Sequence, residues 1–196
     1  RITLPRPGVT FPRPPESNFV DTHVWNKLTN LGIPPSGLSD DAEFLRRVYL
    51  DTIGTLPTAA EARTFLASTD ATKRAKLIDR LLDRKEFSEI WAMKWAEVLM
   101  VRTAQNRVST KAALLYSDWL TEQISNNVPM DKLVQDVLAS SGTAFKNPAV
   151  NYYQVETDLL KTAENTAQVF FGIRTQCAQC HNHPFDRWTM DDYYSF

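Results

Sequence analysis

The sequence predicts an all-α fold, built from helices of unequal length rather than from a regular bundle. Apolar residues recur at intervals of three and four positions along most of the 196-residue chain. No segment alternates apolar and polar residues between hairpin turn signals, and no internal repeat is evident. These observations favour an irregular multi-helix domain that ends in a short turn of unusual composition, residues 177–183.

Proline marks the beginning of the chain as a linker. Residues 1–17 contain five of the eleven prolines, and each proline removes an amide donor and fixes an extended backbone. We therefore expect residues 1–17 to be a linker from an upstream domain and residues 18–196 to form the helical domain. Because the chain starts without methionine and stops within an aromatic segment, we expect it to be part of a longer protein.

Start and stop signals divide the first part of the domain into four helices. Thr58 and Glu61 match the capping box, in which each side chain satisfies the other's free amide, and predict the start of the third helix. Gly32 suits the end of the first helix, and Ser39 or Asp40 can cap the second. The predicted ranges are 18–31, 39–54, 58–67 and 71–83. The expected apolar side of the first helix comprises Phe19, Val24, Trp25 and Leu28.

Four further helices are predicted upstream of the unusual turn. Residues spaced by three or four positions, such as Trp91 and Trp95, place one side of each helix in the core, and Gly172 suits the C-cap of the last helix. The longest irregular stretch, residues 143–154, is a candidate for lining a site, because loops of that length in compact domains are often functional. The predicted ranges are 85–102, 110–127, 129–142 and 155–171.

The charge balance argues against nucleic-acid and membrane-surface partners. The 22 basic and 23 acidic side chains give a formal net charge of −1, and no basic stripe or polybasic patch stands out. No apolar run reaches membrane-spanning length. We therefore expect no nucleic-acid partner and no membrane-spanning segment in these residues.

Both cysteines and two of the three histidines fall within seven positions, residues 177–183. The order Cys177, Cys180, His181 is C-x-x-C-H, the attachment signature of a c-type haem. In that chemistry each thiol adds across one haem vinyl group, and the adjacent imidazole ligates the iron. The spacing predicts one covalently attached haem c, with the two cysteines as anchors and the histidine as proximal ligand.

The motif does not fix the ligand on the other haem face. Imidazoles on opposite faces hold their Cα atoms about 12 Å apart, whereas two residues span at most ~7 Å, so His183 is too close to His181. We expect His183 to be a hydrogen-bonding or structural residue instead. Met190, nine residues after His181, and His23 are the distal candidates, and an open sixth position is the alternative.

Other chemistries fit the same residues. Four nitrogen and sulfur ligands would suffice for a tetrahedral zinc site, although structural zinc sites usually draw paired ligands from two separated turns. A thioredoxin-like dithiol would need a βαβ setting, which the sequence lacks. A disulfide would leave the neighbouring histidine without a role. The candidate zinc ligands are Cys177, Cys180, His181 and His183.

The same tail resembles a known family. Residues 171–188 read FGIRTQCAQCHNHPFDRW and residues 191–194 read DDYY, which closely resembles the end of the planctomycete cytochrome-like domain, a family of unknown function. The likeness covers most of residues 18–196, and the sequence departs from the family pattern at His23 and Met190. Upstream it includes RRVYLD at 46–51, LPT at 56–58, ASSG at 139–142, and Gly54, Leu81, Leu82, Phe87, Trp91 and Trp95.

The resemblance implies a large exported protein of planctomycetes and related bacteria. Such proteins often carry an N-terminal cytochrome module, an immunoglobulin-like domain and a further C-terminal domain, and their redox work is linked to polysaccharide use. The resemblance assigns the haem-attachment role to Cys177, Cys180 and His181. It therefore implies a periplasmic or cell-surface location.

These observations lead to one expected function and two alternatives. We expect a cytochrome c-like domain that passes single electrons to redox partner domains of the same parent protein, with Arg174 and Arg187 as partners of the haem propionates. The first alternative is a haem enzyme with an open distal face, for which residues 143–154 and Asp186 are candidates. The second is a zinc-stapled interaction module with no redox role.

Overall fold

The fold is described by a computed structural model that covers Gly8 and residues 10–196; residues 1–7 and 9 of the predicted linker lie outside the described residues. The described part contains no β-strand, only an isolated antiparallel bridge between Ala104 and Val108. The prediction of an all-α fold is therefore confirmed. The helices are α1 Phe19–Leu31, α2 Asp41–Ile53, α3 Ala59–Ala67, α4 Lys73–Leu82, α5 Lys85–Val98, α6 Thr110–Ser125, α7 Met130–Leu138, α8 Asn151–Val155, α9 Leu159–Phe171 and α10 Met190–Ser195.

Several helix ends follow the predicted capping chemistry. Thr58 and Glu61 form the expected capping box at the start of α3. Asp40 Oδ1 accepts a hydrogen bond of 2.8 Å from the Glu43 amide at the start of α2. Gly172 ends α9 with φ at 68°, in the left-handed region that glycine enters without a steric penalty. These local signals therefore place the starts of α2 and α3 and the end of α9 correctly.

Three predicted boundaries were wrong by four residues, and local chemistry explains two of them. The helix predicted over residues 129–142 ends at Leu138. The helix predicted from residue 155 begins at Leu159, because the Asp158 carboxylate accepts from the Lys161 amide and caps the helix there. The helix predicted to residue 102 ends at Val98. Met100 then takes φ of 56°, which a continuing helix does not allow.

The predicted loop at residues 143–154 also contains regular structure. A 3₁₀ helix spans Pro148–Val150 and leads directly into α8. The Asn151 side chain holds this segment, since its Nδ2 donates to the carbonyls of Ala112 and Pro148. The irregular part is therefore shorter than the sequence suggested.

The chain divides into two compact units, Arg1–Leu45 and Arg46–Phe196. In the first unit α1 starts with a capping box at Asn18 but buries none of its residues. Phe19 is 77% exposed and Val24 41% exposed, whereas Trp25 and Leu28 are half-buried, so the expected apolar side of α1 is only partly covered. Periodicity identifies an apolar side but does not supply a surface to cover it.

The second unit contains a well-packed core between α5 and the α6–α8 region. Its most buried side chains are at most 1% exposed, and the partly buried Trp95 and Trp119 pack against them. Tyr152 reaches from α8 to α9, where its hydroxyl lies 3.0 Å from Thr166 Oγ1. This core anchors α9, which leads into the cysteine-containing turn. The central residues are Tyr116, Leu120, Leu133, Val137 and Tyr152.

No helix among the described residues is both long enough and apolar enough to cross a membrane.

Candidate functional site

The two cysteines lie on a tight turn directly after α9. Residues Gln176–Gln179 form a 3₁₀ helix, in which the Ala178 amide donates to the Thr175 carbonyl at 2.8 Å. Ala178 is fully buried, whereas Cys177 and Cys180 on either side of it are exposed and have free thiols. The turn therefore holds its alanine against the protein and leaves both sulfur atoms accessible for covalent chemistry.

A second turn folds the chain back after the cysteines. The His183 amide donates to the Trp188 carbonyl at 2.8 Å, which closes a loop around residues 184–187. The Met190 amide donates to Asn182 Oδ1 at 3.2 Å, so the first residue of α10 is tied to the residue that follows His181. Backbone and side-chain hydrogen bonds therefore define the path of the chain around the motif.

The His181 ring is held by one hydrogen bond to the backbone. Its Nδ1 lies 2.7 Å from the Asn182 carbonyl oxygen. Because a carbonyl can only accept, Nδ1 must carry the proton, and the neutral ring then has its lone pair on Nε2. The exposed imidazole thus presents an unprotonated Nε2, the form in which histidine binds a metal.

His183 has the opposite arrangement. Its Nδ1 accepts a hydrogen bond of 3.3 Å from the Phe185 amide, inside the loop that follows the motif. The proton of the neutral ring therefore lies on Nε2. This contact gives His183 a structural role in the loop, as one of the two roles expected from the sequence.

The two distal candidates lie in different settings. Met190 is 37% exposed, and the hydrogen bond from its amide to Asn182 Oδ1 holds its backbone close to the residue that follows His181. His23 is exposed on α1 and belongs to the Arg1–Leu45 unit, whereas the motif belongs to the other unit. Both residues therefore stay predictions as distal ligands.

An apolar cavity of about 310 Å³ lies behind the cysteine turn. Ala178 closes it on the side of the motif, and Phe171 from the end of α9 and Trp188 contribute ring surface. Phe171 also packs edge-on against Phe196, with ring centroids 6.0 Å apart. The residues that line the cavity come from α9, the cysteine turn and the tail that follows it, and four of the ten are aromatic.

Tyr193 connects the motif-bearing tail to the rest of the unit. Its side chain is buried at 5% exposure, and its hydroxyl donates to Glu164 Oε1 of α9 at 2.7 Å. Burial, together with the hydrogen bond to the Glu164 carboxylate, raises the pKa of Tyr193 well above its usual value. The neighbouring Tyr194 hydroxyl donates to the Gln179 carbonyl at 3.1 Å, which ties α10 to the cysteine turn.

The two arginines predicted to meet haem propionates are both exposed. The Arg187 guanidinium carbon lies 5.0 Å from the centre of the Trp188 ring, so it stacks on an aromatic residue that lines the cavity. The Trp188 indole nitrogen is buried and has no hydrogen-bond partner within the described part of the chain. Arg174 lies two residues after Gly172, in the segment between α9 and the cysteine turn. These placements leave the propionate prediction for Arg174 and Arg187 untested.

In the part of the chain that the structure describes, no three or more His, Cys, Asp or Glu side chains converge so that they could hold a metal ion. The four zinc ligands considered above are thus not gathered around one point.

Sequence reasoning missed two residues that shape this site. Asn182 positions both the His181 ring and the start of α10, and no motif signals such a role. The start of α10 could have been found, because Thr189 and Asp192 form a capping box. The hydrogen bond from Tyr193 to Glu164 spans 29 residues of sequence, so spacing along the chain could not reveal it.

Comparison with known proteins identifies a family but no function. No curated protein and no solved structure matches the chain. A family model matches residues 19–196, which includes every helix described above and the whole cysteine turn. The chain therefore belongs to the PSCyt2 family, described as a protein of unknown function (DUF1549).

Proposed function

We propose that this domain binds one haem c covalently through Cys177 and Cys180, with His181 as the proximal iron ligand. The domain passes single electrons to partner redox domains within a larger exported protein whose work is linked to polysaccharide catabolism. The resemblance of the tail to cytochrome-like domains supports the exported setting, because covalent haem attachment takes place outside the cytoplasm.

One observation carries the proposal: two accessible thiols stand beside an imidazole whose metal-binding nitrogen is free. Both cysteines are exposed and unpaired, as the addition of each S–H to a vinyl double bond requires. The His181 proton is committed to the Asn182 carbonyl, which leaves Nε2 available. The donor set therefore fits a c-type haem, which needs two thioether bonds and one proximal imidazole.

The bound cofactor would supply a one-electron redox couple, and the chain's own residues would set its surroundings. The Asn182 carbonyl fixes the orientation of the His181 ring and increases its basicity. The exposed aromatic side chains near the motif would exclude water from part of the site. Phe185 is 94% exposed and Tyr194 is 57% exposed, which is costly for apolar surface in water unless another group covers it.

A haem enzyme with an open distal face is the second candidate function. The hydrogen bond from the Met190 amide to Asn182 Oδ1 favours it, because this bond holds the backbone of the methionine candidate close to the residue that follows His181. Added cyanide or carbon monoxide distinguishes the two candidates. A low-spin spectrum that these ligands leave unchanged supports electron transfer, whereas a high-spin spectrum that they alter supports catalysis.

The direct test is to export residues 1–196 in a host that also expresses haem-ligation machinery. The proposal predicts a coloured protein whose reduced spectrum has the sharp bands of a c-type cytochrome, and a band that stains for haem on a denaturing gel. A Cys177→Ala variant is the matched control, since one remaining thiol can form only one thioether. A colourless product that contains zinc would contradict the proposal and support the zinc-stapled alternative.

A further inference from the structure

A second cleft, of about 600 Å³, lies in the Arg46–Phe196 unit and is not lined by any residue of the cysteine turn. Its walls come from residues 104–109, the first turns of α6, residues 142–145 and Gln154 of α8. This is the region that the sequence marked as a candidate site-lining loop. The cysteine chemistry proposed above gives it no role.

The floor of the cleft is apolar and its rim is polar. Val108, Ala112 and Ala144 form the floor and are at most 6% exposed. On the rim, the ring of Phe145 is 60% exposed. An apolar base with a few polar groups around it is the usual composition of a small-molecule site.

Several polar side chains on the rim have hydrogen-bonding capacity to spare. Asn106, Thr143 and Gln154 line the cleft, and none of their side chains is hydrogen-bonded to another described residue. Arg107 donates from Nη1 to Thr157 Oγ1. Its Nη2 and Nε are not used by any described neighbour, so one edge of the guanidinium remains available to a ligand.

The charged side chain that lines the cleft in the described structure is basic. Arg107 is the one ionisable residue among those that line it in the described structure. The Lys111 ammonium lies 5.6 Å from the centre of the Phe145 ring, at the edge of the cleft. The start of the 16-residue helix α6 faces the same space through Ser109 and Ala112, and its dipole adds positive potential.

We propose that this cleft binds a small organic carboxylate. The free edge of the Arg107 guanidinium receives the carboxylate through paired hydrogen bonds, which suit its planar geometry. Phe145 and the apolar floor cover the organic part of the ligand, and the amides of Asn106 and Gln154 hydrogen-bond its polar substituents. The site does not depend on haem binding at the cysteine turn.

The test is an NMR titration of the ¹⁵N-labelled chain, residues 1–196, with benzoate as the probe. The proposal predicts saturable shifts confined to amides of residues 104–112, 142–145 and 154. Benzamide keeps the ring but lacks the charge, and we expect it to bind at least about tenfold more weakly, since it cannot form the charge-assisted hydrogen bonds to Arg107. Inorganic phosphate tests whether any anion suffices.

Two variants and one control complete the test. Arg107→Met should weaken benzoate binding about tenfold or more, and Gln154→Glu should weaken it by adding a like charge to the rim. Arg102→Met is the matched control, because Arg102 is exposed but does not line the cleft; its affinity should equal that of the wild type.

Several results would overturn the proposal. These are shifts that do not saturate or that lie outside the cleft, equal affinity for benzamide and benzoate, and tighter binding of phosphate than of benzoate. If Arg107→Met does not fold, Gln154→Glu decides alone, since it preserves side-chain size; unchanged affinity in that variant would also refute the site.

Discussion

The core around α6 and the tail that carries the cysteines are stabilised in different ways. In the core, Tyr116, Leu120 and Tyr152 are fully buried and hold the helices by apolar packing. In the tail, residues 172–196, only Ala178 and Tyr193 are buried, and the path depends on individual hydrogen bonds. The chemically versatile residues thus lie on a part of the unit that has little apolar packing of its own.

The largest expected effect is in the core. Leu120→Ala should lower the free energy of unfolding by about 2–5 kcal/mol, because it leaves a cavity where no solvent-exposed surface existed. Urea denaturation measures the change. Leu114→Ala is the matched control on α6, since Leu114 is 58% exposed and should change stability by only about 0.5 kcal/mol. A similar loss in both variants would contradict the packing described for the core.

In the tail, Tyr193 should be the most sensitive position. Tyr193→Phe removes the hydrogen bond to Glu164 and leaves a carboxylate oxygen without its donor, at an expected cost of about 1–2 kcal/mol. Hydrogen exchange of α10 amides should report the loss as local opening. Tyr194→Phe is the control for a bond nearer the surface; if it accelerates exchange as much, Tyr193 has no special role.

Because of the same tyrosine, the stability of the folded chain should fall at alkaline pH. Its pKa is raised in the folded chain, above the ordinary value of 10.0, so the folded state holds this proton more tightly than the unfolded state. That contribution to stability is complete below pH 10.0 and is lost as the pH rises above it. The stability of Tyr193→Phe, which cannot titrate, should fall less between pH 9 and 11; equal slopes would contradict this assignment.

A smaller effect is expected from Asn182. Asn182→Ala removes the acceptor of the Met190 amide and loosens the backbone whose carbonyl receives the His181 proton. In the chain without haem, ¹⁵N NMR should find the His181 proton mainly on Nδ1 in the wild type and more evenly shared in the variant. His183 is an internal control, because its Nδ1 accepts from Phe185; its tautomer should not change. An unaltered His181 tautomer would refute the positioning role.

Phe185 should show the smallest effect of all. Because its side chain is 94% exposed, Phe185→Ala should change the free energy of unfolding of the haem-free chain by at most about 0.5 kcal/mol. Urea denaturation of this variant and of Leu120→Ala, measured in parallel, would show the difference in stability between tail and core positions. A loss above about 1 kcal/mol would mean that Phe185 packs more closely than its exposure indicates.

The sequence predicted the fold better where structure is determined locally. The capping box of Thr58 and Glu61 and the C-cap at Gly172 were predicted correctly, because both depend on residues that are adjacent in sequence. The predicted start of α9 was wrong because Asp158, which lies within the helical spacing of apolar residues, caps the helix and makes it begin at Leu159. The exposure of Phe19 could not be predicted, because burial depends on a covering surface, which periodicity does not reveal.

The candidate site was likewise predicted where it depends on neighbouring residues and missed where it depends on the folded chain. Spacing alone identified Cys177, Cys180 and His181 as a group, and the structure places both thiols at the surface. Spacing along the sequence could not predict that Asn182 would accept a hydrogen bond from the Met190 amide or that the Tyr193 hydroxyl would reach Glu164. Those contacts arise from the path of the folded chain, so they require coordinates.

The central claim is that the two cysteines hold a haem, and intact-mass measurement under denaturing conditions tests it most directly. Protein exported together with haem-ligation machinery should carry the mass of one haem beyond that of the polypeptide, and the Cys177→Ala, Cys180→Ala double variant should carry none. A wild-type mass equal to that of the bare polypeptide, from a host that matures a control cytochrome c, would contradict the account.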